Sequence, residues 1–167
     1  VTLVAPGTRS EDVPAGVELV LVGEAVGLPF NGSVARLALR PSQARVAVAA
    51  AEEAEVVHVH EPLTPGMAFA AARAARNLLV THHASFTPNR ALELIGWRRA
   101  RTLGSYNAIA VSRAAQYSAS SVTGREMDVV PNAIRMPPPP PLPREGRWRG
   151  GERPRIAFVG RAKDPRK

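Results

Sequence analysis

The 167-residue chain contains no cysteine. Disulfide staples and thiolate metal sites are thereby excluded, and the composition fits a reducing compartment. Aromatic residues are scarce at 5%, which leaves few platforms for stacking nucleic-acid bases. No uninterrupted apolar run reaches the roughly 18 residues that a membrane-spanning helix needs, and the opening VTLVAP reads as a strand rather than a signal peptide. Hydrophobic residues make up 45%, with alanine, valine and leucine dominant, as suits an α/β interior. The net charge of +8 is carried by arginine far more than lysine. Such a surface favours anionic partners: phosphates, nucleotides, nucleic acid or acidic lipid heads. The length is enough for one domain with a real core.

Short, valine-rich apolar runs recur at 1–5, 17–22, 56–59, 78–81, 108–111, 127–130 and 156–159. They are continuous rather than alternating, which is how strands of a parallel sheet read. Helical stretches separate them: PSQARVAVAAAEEAE, PGMAFAAARAAR, PNRALELIGWRRARTLG and SRAAQYSASSV, the last with Ser112 as N-cap. Strand alternating with helix predicts an α/β fold, a Rossmann-like doubly wound, mostly parallel sheet with right-handed crossovers. Residues 17–39 carry less helix and more turn signals, among them Asn31-Gly32. A hairpin or an excursion over the sheet edge would account for them.

The composition shifts near residue 135, where MPPPPPLPREGRWRGGERP begins. Proline cannot join a ladder and favours extended chain, so a linker is expected. A new strand at 156–159 would then open a second domain. The expected organisation is a Rossmann-like domain over 1–134, a Pro/Arg/Gly-rich linker over 135–154, and the first strand and turn of another domain over 155–167. Both ends read as cut, so a fragment of a longer protein is expected.

Chemistry-bearing residues collect at strand ends. In VVHVHEP, 56–62, side-chain alternation puts His58 and His60 on one face, with Glu61 at the strand's carboxyl end. A second pair, His82-His83, ends the next strand. Ligands of open parallel sheets bind outside the carboxyl ends of strands. Three readings stay open on the residues alone. The histidines line a crevice in which one meets substrate, they are structural, or they contribute to a zinc site. The terminal GRAKDPRK follows a strand and offers Arg161, Lys163, Arg166 and Lys167. Arginine suits bidentate phosphate binding and lysine supplies a point charge, although a solvated basic turn has the same composition. The stretch lacks the glycines and Ser/Thr of a P-loop.

NGSVARL at 31–37, VVHVHEP at 56–62, VTHHAS at 80–85, IAVS at 109–112, VVPNAI at 129–134 and FVGRAKDPRK at 158–167 occur in a characteristic order. In that order the chain resembles the retaining GT-B glycosyltransferases of family 4, and most closely the actinobacterial phosphatidylinositol mannosyltransferases. The resemblance implies the amino-terminal half of a GT-B fold, truncated at both ends, with an acceptor-side domain facing a donor-side domain across a cleft. It implies a hexosyltransferase that moves a sugar, mannose foremost, from a nucleotide-diphosphate donor (GDP-mannose or a UDP-sugar) to a phosphoinositol lipid or related polyol-phosphate acceptor. The fragment alone would be inactive. By the resemblance, Arg161 and Lys167 hold the donor diphosphate, His83 is catalytic beside the transferred sugar, and Asn31 and Arg36 form the acceptor pocket. His82 occupies a position that is usually aromatic. No permanently bound cofactor is implied, and a divalent metal is compatible with the sequence without being required by it.

Departures from the pattern are also informative. The usual Pro-Asn-Gly reads Pro131-Asn132-Ala133. The helix after NGSVARL, basic and membrane-gripping in the mannosyltransferases, here carries Arg45 and acidic residues. NRALELIGWRRAR is basic, contains Trp97, and is the alternative segment for a headgroup layer, or else simply a sheet-covering helix with solvated arginines. The implied location is cytoplasmic, with peripheral contact at the inner face of the plasma membrane. Rival classes are a glycosyltransferase-like binding module without activity, a basic nucleic-acid-binding protein and a zinc hydrolase. The few aromatics and missing reading motif argue against nucleic acid as a partner.

Overall fold

The structure, a computed structural model, describes residues 1–8, 13–30 and 33–134. The strand expected at 156–159 and the linker at 135–154 lie outside the described residues. Val1–Pro131 forms one compact unit.

The alternation seen in the sequence becomes β1 (Thr2–Ala5), β2 (Glu18–Leu21), β3 (Val26–Phe30), β4 (Ser33–Leu37), α1 (Pro41–Glu53), β5 (Val57–His60), α2 (Met67–Ala74), β6 (Leu78–His82), α3 (Arg90–Thr102), β7 (Asn107–Ala110), α4 (Arg113–Thr123) and β8 (Asp128–Val129). Backbone pairing divides the strands into three ladders. β1 and β2 pair in parallel, β3 and β4 form an antiparallel hairpin, and β5-β6-β7-β8 make a parallel sheet in sequential order. The Rossmann-like, mostly parallel α/β architecture is therefore present. The turn-rich stretch resolves into the hairpin, whose register pairs Phe30 with Ser33 and leaves only Asn31 and Gly32 between them.

Adjacent parallel strands joined in sequence by right-handed crossovers carry all their connecting helices on one face. The core agrees. Val59, Leu78 and Val80 are buried against Ala68, Ala71 and Ala72 of α2, and Ala110 against Ala115 and Ala119 of α4. Alanine dominates these contacts, so helix backbones come close to the sheet and the apolar layer is thin.

Helix ends are set by local chemistry. Pro41 opens α1, where its missing N–H is no loss. Gln43, 3% exposed, accepts from the Arg40 N–H at 2.9 Å and donates to the Val22 and Glu24 carbonyls at 3.1 and 2.8 Å. One buried amide thus ties α1 to the exit of β2 with its hydrogen-bonding capacity used on named partners. The Asn89 side chain caps α3 through the Leu92 N–H at 3.0 Å. Ser112 caps α4 as its sequence position predicts, accepting from the Ala115 N–H at 3.1 Å.

α3 lies on α4 at Gly96. A Cβ built there would stand 2.8 Å from the Val122 Cβ and 2.9 Å from the Val122 carbonyl oxygen. Real Cβ atoms do not approach so closely, and the obstacle is backbone. Gly96→Ala is expected to destabilise the fold by about 1–3 kcal/mol, seen as a lower Tm with unchanged far-UV circular dichroism. An unaltered Tm would mean that the two helices separate without cost.

Candidate functional site

Alternation on β5 and β6 sorts four histidines onto two faces. The β5–β6 register pairs His60 with Thr81. In a parallel ladder, paired residues share a face. His58, His60 and Thr81 therefore lie together, and His83, two residues beyond Thr81, follows them. His82 falls on the opposite face, the one covered by helices, and is 3% exposed. His58, His60 and His83 are exposed.

The three exposed imidazoles form a row. The His58 and His60 ring centroids are 4.6 Å apart, and those of His60 and His83 are 5.0 Å apart. His58 is fixed by a 2.7 Å contact between its Nε2 and Thr81 Oγ1. His60 Nδ1 and His83 Nε2 lie 2.7 Å from each other, close enough for a hydrogen bond.

Glu61 joins the two strand ends. Its N–H donates to the Thr81 carbonyl at 2.9 Å, extending the ladder by one bond. Its backbone then turns to φ 52, a left-handed conformation. That turn brings the carboxylate under the exit of β6. Glu61 Oε1 accepts from the His83 N–H at 2.5 Å and from the Ala84 N–H at 2.6 Å. Glu61 Oε2 lies 3.7 Å from His82 Nδ1. Thr64 closes the turn through a 2.8 Å hydrogen bond from its hydroxyl to the Glu61 carbonyl, and Pro62 behind it is fully buried. Left-handed backbone costs a residue with a Cβ roughly 1–2 kcal/mol. Two charge-assisted hydrogen bonds offset it, each typically contributing about 1.5–3 kcal/mol.

These contacts bear on the protonation of Glu61 and His60. Burial alone pushes the Glu61 carboxyl up, but His82 and the His83 and Ala84 N–H groups outweigh it, and the net direction is down. Glu61 is therefore an anion under ordinary conditions. The His60 imidazole is pushed down by burial first, then by His58 and His83, against a smaller opposing pull from Glu61. Neutral His60 keeps one bare nitrogen.

Of the five residues singled out from the sequence, His83 stands in this cluster. Arg36 is exposed on β4, paired with Gly27, and among the described residues shares no hydrogen bond or ion pair with the histidines. The hairpin does reach the same region, because Phe30 meets Phe86 edge-on with centroids 5.7 Å apart. Asn31, Arg161 and Lys167 lie outside the described residues. The sequence reading undervalued Glu61 and did not join His60 to His83. The adjacent Pro62 was the available signal, since an acidic residue squeezed between a strand end and a proline is held by a turn. A recess of about 750 Å³ lies at the amino ends of β7 and β8, lined by Tyr106, Asn107 and Asp128 among others. It is at the far end of the strands from the histidines. Among the described residues no group of three or more His, Cys, Asp or Glu side chains is arranged to hold a metal ion.

Since its carboxyl titrates lower in the folded chain than in the unfolded one, Glu61 stabilises the fold above the ordinary glutamate range. That contribution is lost as pH falls through the folded value. Glu61→Gln is expected to cost about 1–2 kcal/mol near neutral pH, and the difference should shrink as pH falls below the ordinary glutamate range toward the lowered folded value, as read by urea denaturation at neutral pH and at the acid end of the folded range. An equal loss at both would show that the negative charge is not what holds the β6 exit.

Residues 1–136 match the family model Glycosyltransferase Family 4. The chain is also similar to curated proteins named phosphatidyl-myo-inositol mannosyltransferase. It is 33% identical to that of Propionibacterium freudenreichii subsp. shermanii over 176 residues, which cover 100% of this chain and 46% of the relative. It is 32% identical to that of Mycolicibacterium smegmatis over 177 residues, covering 100% and 44%. With that of Mycobacterium leprae the identity is 32% over 172 residues, covering 100% and 45%. The chain spans about half the length of the curated relatives it matches. With the motif order, the parallel sheet and the family model in agreement, the chain belongs to Glycosyltransferase Family 4.

Proposed function

We propose that this chain is the acceptor-side part of a retaining hexosyltransferase. The enzyme moves mannose from a nucleotide-diphosphate sugar to a hydroxyl of a phosphoinositol lipid. The observation that carries this reading is the row of His58, His60 and His83 at the carboxyl ends of two adjacent parallel strands, with the β6 exit clamped by Glu61. Open parallel sheets bind ligands at that edge. The named activity of the relatives supports the choice of sugar and acceptor.

In this reading residues 1–134 form the acceptor domain, 135–154 the linker, and 155–167 the beginning of the donor domain. Arg161 and Lys167 hold the donor diphosphate, where fixed cations stabilise the charge that grows as the leaving group departs. The bond from the sugar's anomeric carbon to diphosphate breaks, and a bond to the acceptor oxygen forms on the same face. The acceptor proton passes to a diphosphate oxygen, so no enzymic nucleophile is needed. His83 contacts the transferred sugar or its phosphate. Asn31 and Arg36 recognise the polyol phosphate, for which an arginine fork is suited. The reaction requires neither a resident cofactor nor nucleic acid.

In the complete enzyme, Arg161→Ala or Lys167→Ala should weaken donor binding at least tenfold by calorimetry, and His83→Ala should depress turnover while leaving the fold intact. Unchanged donor affinity in both cation variants would remove the assignment.

A lipid acceptor brings the chain to a membrane, and the outward side of α3 suits that contact. Leu94, Ile95 and Trp97 are 50%, 50% and 45% exposed. Arg98 and Arg101 are exposed beside them, and the Arg101 guanidinium lies 4.8 Å from the centroid of Trp97. Apolar and indole groups within a cationic rim fit an anionic headgroup layer. Among the described residues no helix is long and apolar enough to cross a membrane, and the contact proposed for α3 is a peripheral one. Reversing both charges, Arg98→Glu with Arg101→Glu, should reduce partitioning into phosphatidylglycerol-containing vesicles by about tenfold or more and leave the weak binding to neutral vesicles unchanged. Equal partitioning of parent and variant would place the membrane contact elsewhere.

A further inference from the structure

His60 is the one member of the imidazole row that touches both others, and the glycosyl-transfer reading gives it no task. Its Nδ1 lies 2.7 Å from His83 Nε2. Two N–H groups cannot face each other at that distance, so one of these nitrogens is protonated and the other is bare. Two arrangements satisfy the contact. Either His60 donates and leaves His83 with its proton on Nδ1, or His83 donates from Nε2 and His60 accepts. The second is the one that still holds when His83 carries two protons, because an imidazolium can only donate.

We infer that His60 is a positioning residue for His83: its bare Nδ1 accepts the His83 Nε2–H, fixes the ring, and leaves His83 Nδ1 to face the ligand. The groups around the pair favour this direction. His58 stands beside His60, anchored on Thr81. Glu61 follows His60 in the chain and holds the backbone of His83 through its N–H. His82 lies on the other face, against the same carboxylate. Burial and the two neighbouring imidazoles disfavour a charge on His60. A neutral His60 can act as acceptor at Nδ1, whereas a cationic one can only donate, and only to a bare His83 Nε2. His83 is thereby gripped twice, at its backbone by Glu61 and at its ring by His60. Such a ring presents a constant face to a sugar or phosphate oxygen, and a ring free to rotate does not.

The inference rests on the reading of His83 as the donor-facing residue, but its first test does not. Long-range nitrogen–proton NMR of the chain, labelled at histidine, should show a protonated His83 Nε2 and a bare His60 Nδ1. The reverse pattern would overturn the assignment. Two variants test its consequence. His60→Asn places an amide oxygen about where Nδ1 stands and keeps an acceptor. His60→Leu removes the acceptor at similar volume, and the exposed position spares the core. In the complete enzyme His60→Leu should lower kcat by about 10- to 100-fold with little change in donor KM, and His60→Asn should restore most of it. Wild-type turnover in His60→Leu, in an enzyme whose Arg161→Ala variant no longer binds donor, would refute the positioning role and spare the glycosyl-transfer reading. Intact donor binding in Arg161→Ala with intact turnover in His83→Ala would refute that reading, and the ring-nitrogen pattern would then decide the His60–His83 assignment by itself.

Discussion

One carboxylate holds together the edge of the sheet at which the exposed histidines collect. Glu61 ends β5, yet its oxygens serve the end of β6, where the His83 and Ala84 N–H groups would otherwise point outward without a partner. Backbone donors at the end of a strand have no ladder to enter, and leaving them unpaired costs roughly 1–3 kcal/mol each. A carboxylate supplied from the neighbouring strand satisfies both at once. It also couples the strands beyond their last ladder bond, so the exits of β5 and β6 behave as one rigid piece. Placement of His83 follows from that coupling.

The division of labour between the two faces of the sheet follows from chain order. Successive strands lie side by side, so α2, α3 and α4 cover one face, and Val59, Val80 and Ala110 are buried beneath them. On the other face at the carboxyl edge the chain places His58, His60 and His83, all exposed, beside the buried Thr81. Polar groups concentrated on one open face leave the apolar layer undisturbed. The alanine-rich helices fit this economy, since close helix–sheet approach needs small residues, as Gly96 against Val122 does between helices.

Most of this frame is legible in the chain itself. Valine-rich runs of strand length, separated by alanine-rich helices, specify the parallel sheet, and β5, β6 and β7 fall within a residue of the expected runs. The hairpin was foreshadowed by Asn31-Gly32, although a turn signal alone does not distinguish a hairpin from an excursion. His58 and His60 share a face, and His82 and His83 do not, by alternation alone. What alternation cannot supply is the register between strands. The pairing of His60 with Thr81 brings His83 beside His60, and it depends on tertiary packing of α2 and α3 rather than on local pattern. Glu61 was harder to read for a related reason. Its left-handed backbone depends on the closing contacts from Thr64 and on the buried Pro62, and a glutamate carries no propensity for that conformation.

Several departures from what folding alone would choose gather at one place, while the buried Tyr106 hydroxyl, also without a hydrogen-bond partner among the described residues, lies at the opposite edge. At position 61 a glycine would enter the left-handed region without strain, and among the described residues Glu61 is the only non-glycine with positive φ. At position 82 an apolar ring would fill the buried space, whereas His82 Nε2 is buried with no hydrogen-bond partner among the described residues. Beside them, three imidazoles are crowded where water-exposed polar side chains of any kind would suffice. The left-handed turn carries a strain that the Glu61 hydrogen bonds offset, and neither the unpaired ring nitrogen nor the imidazole row improves the core. Sequences that serve only their fold spread such compromises thinly, and functional sites concentrate them. The strained turn, the unpaired ring nitrogen and the imidazole row all lie within the exits of β5 and β6. That concentration supports the proposed reading of this edge as the working surface by an argument independent of family membership.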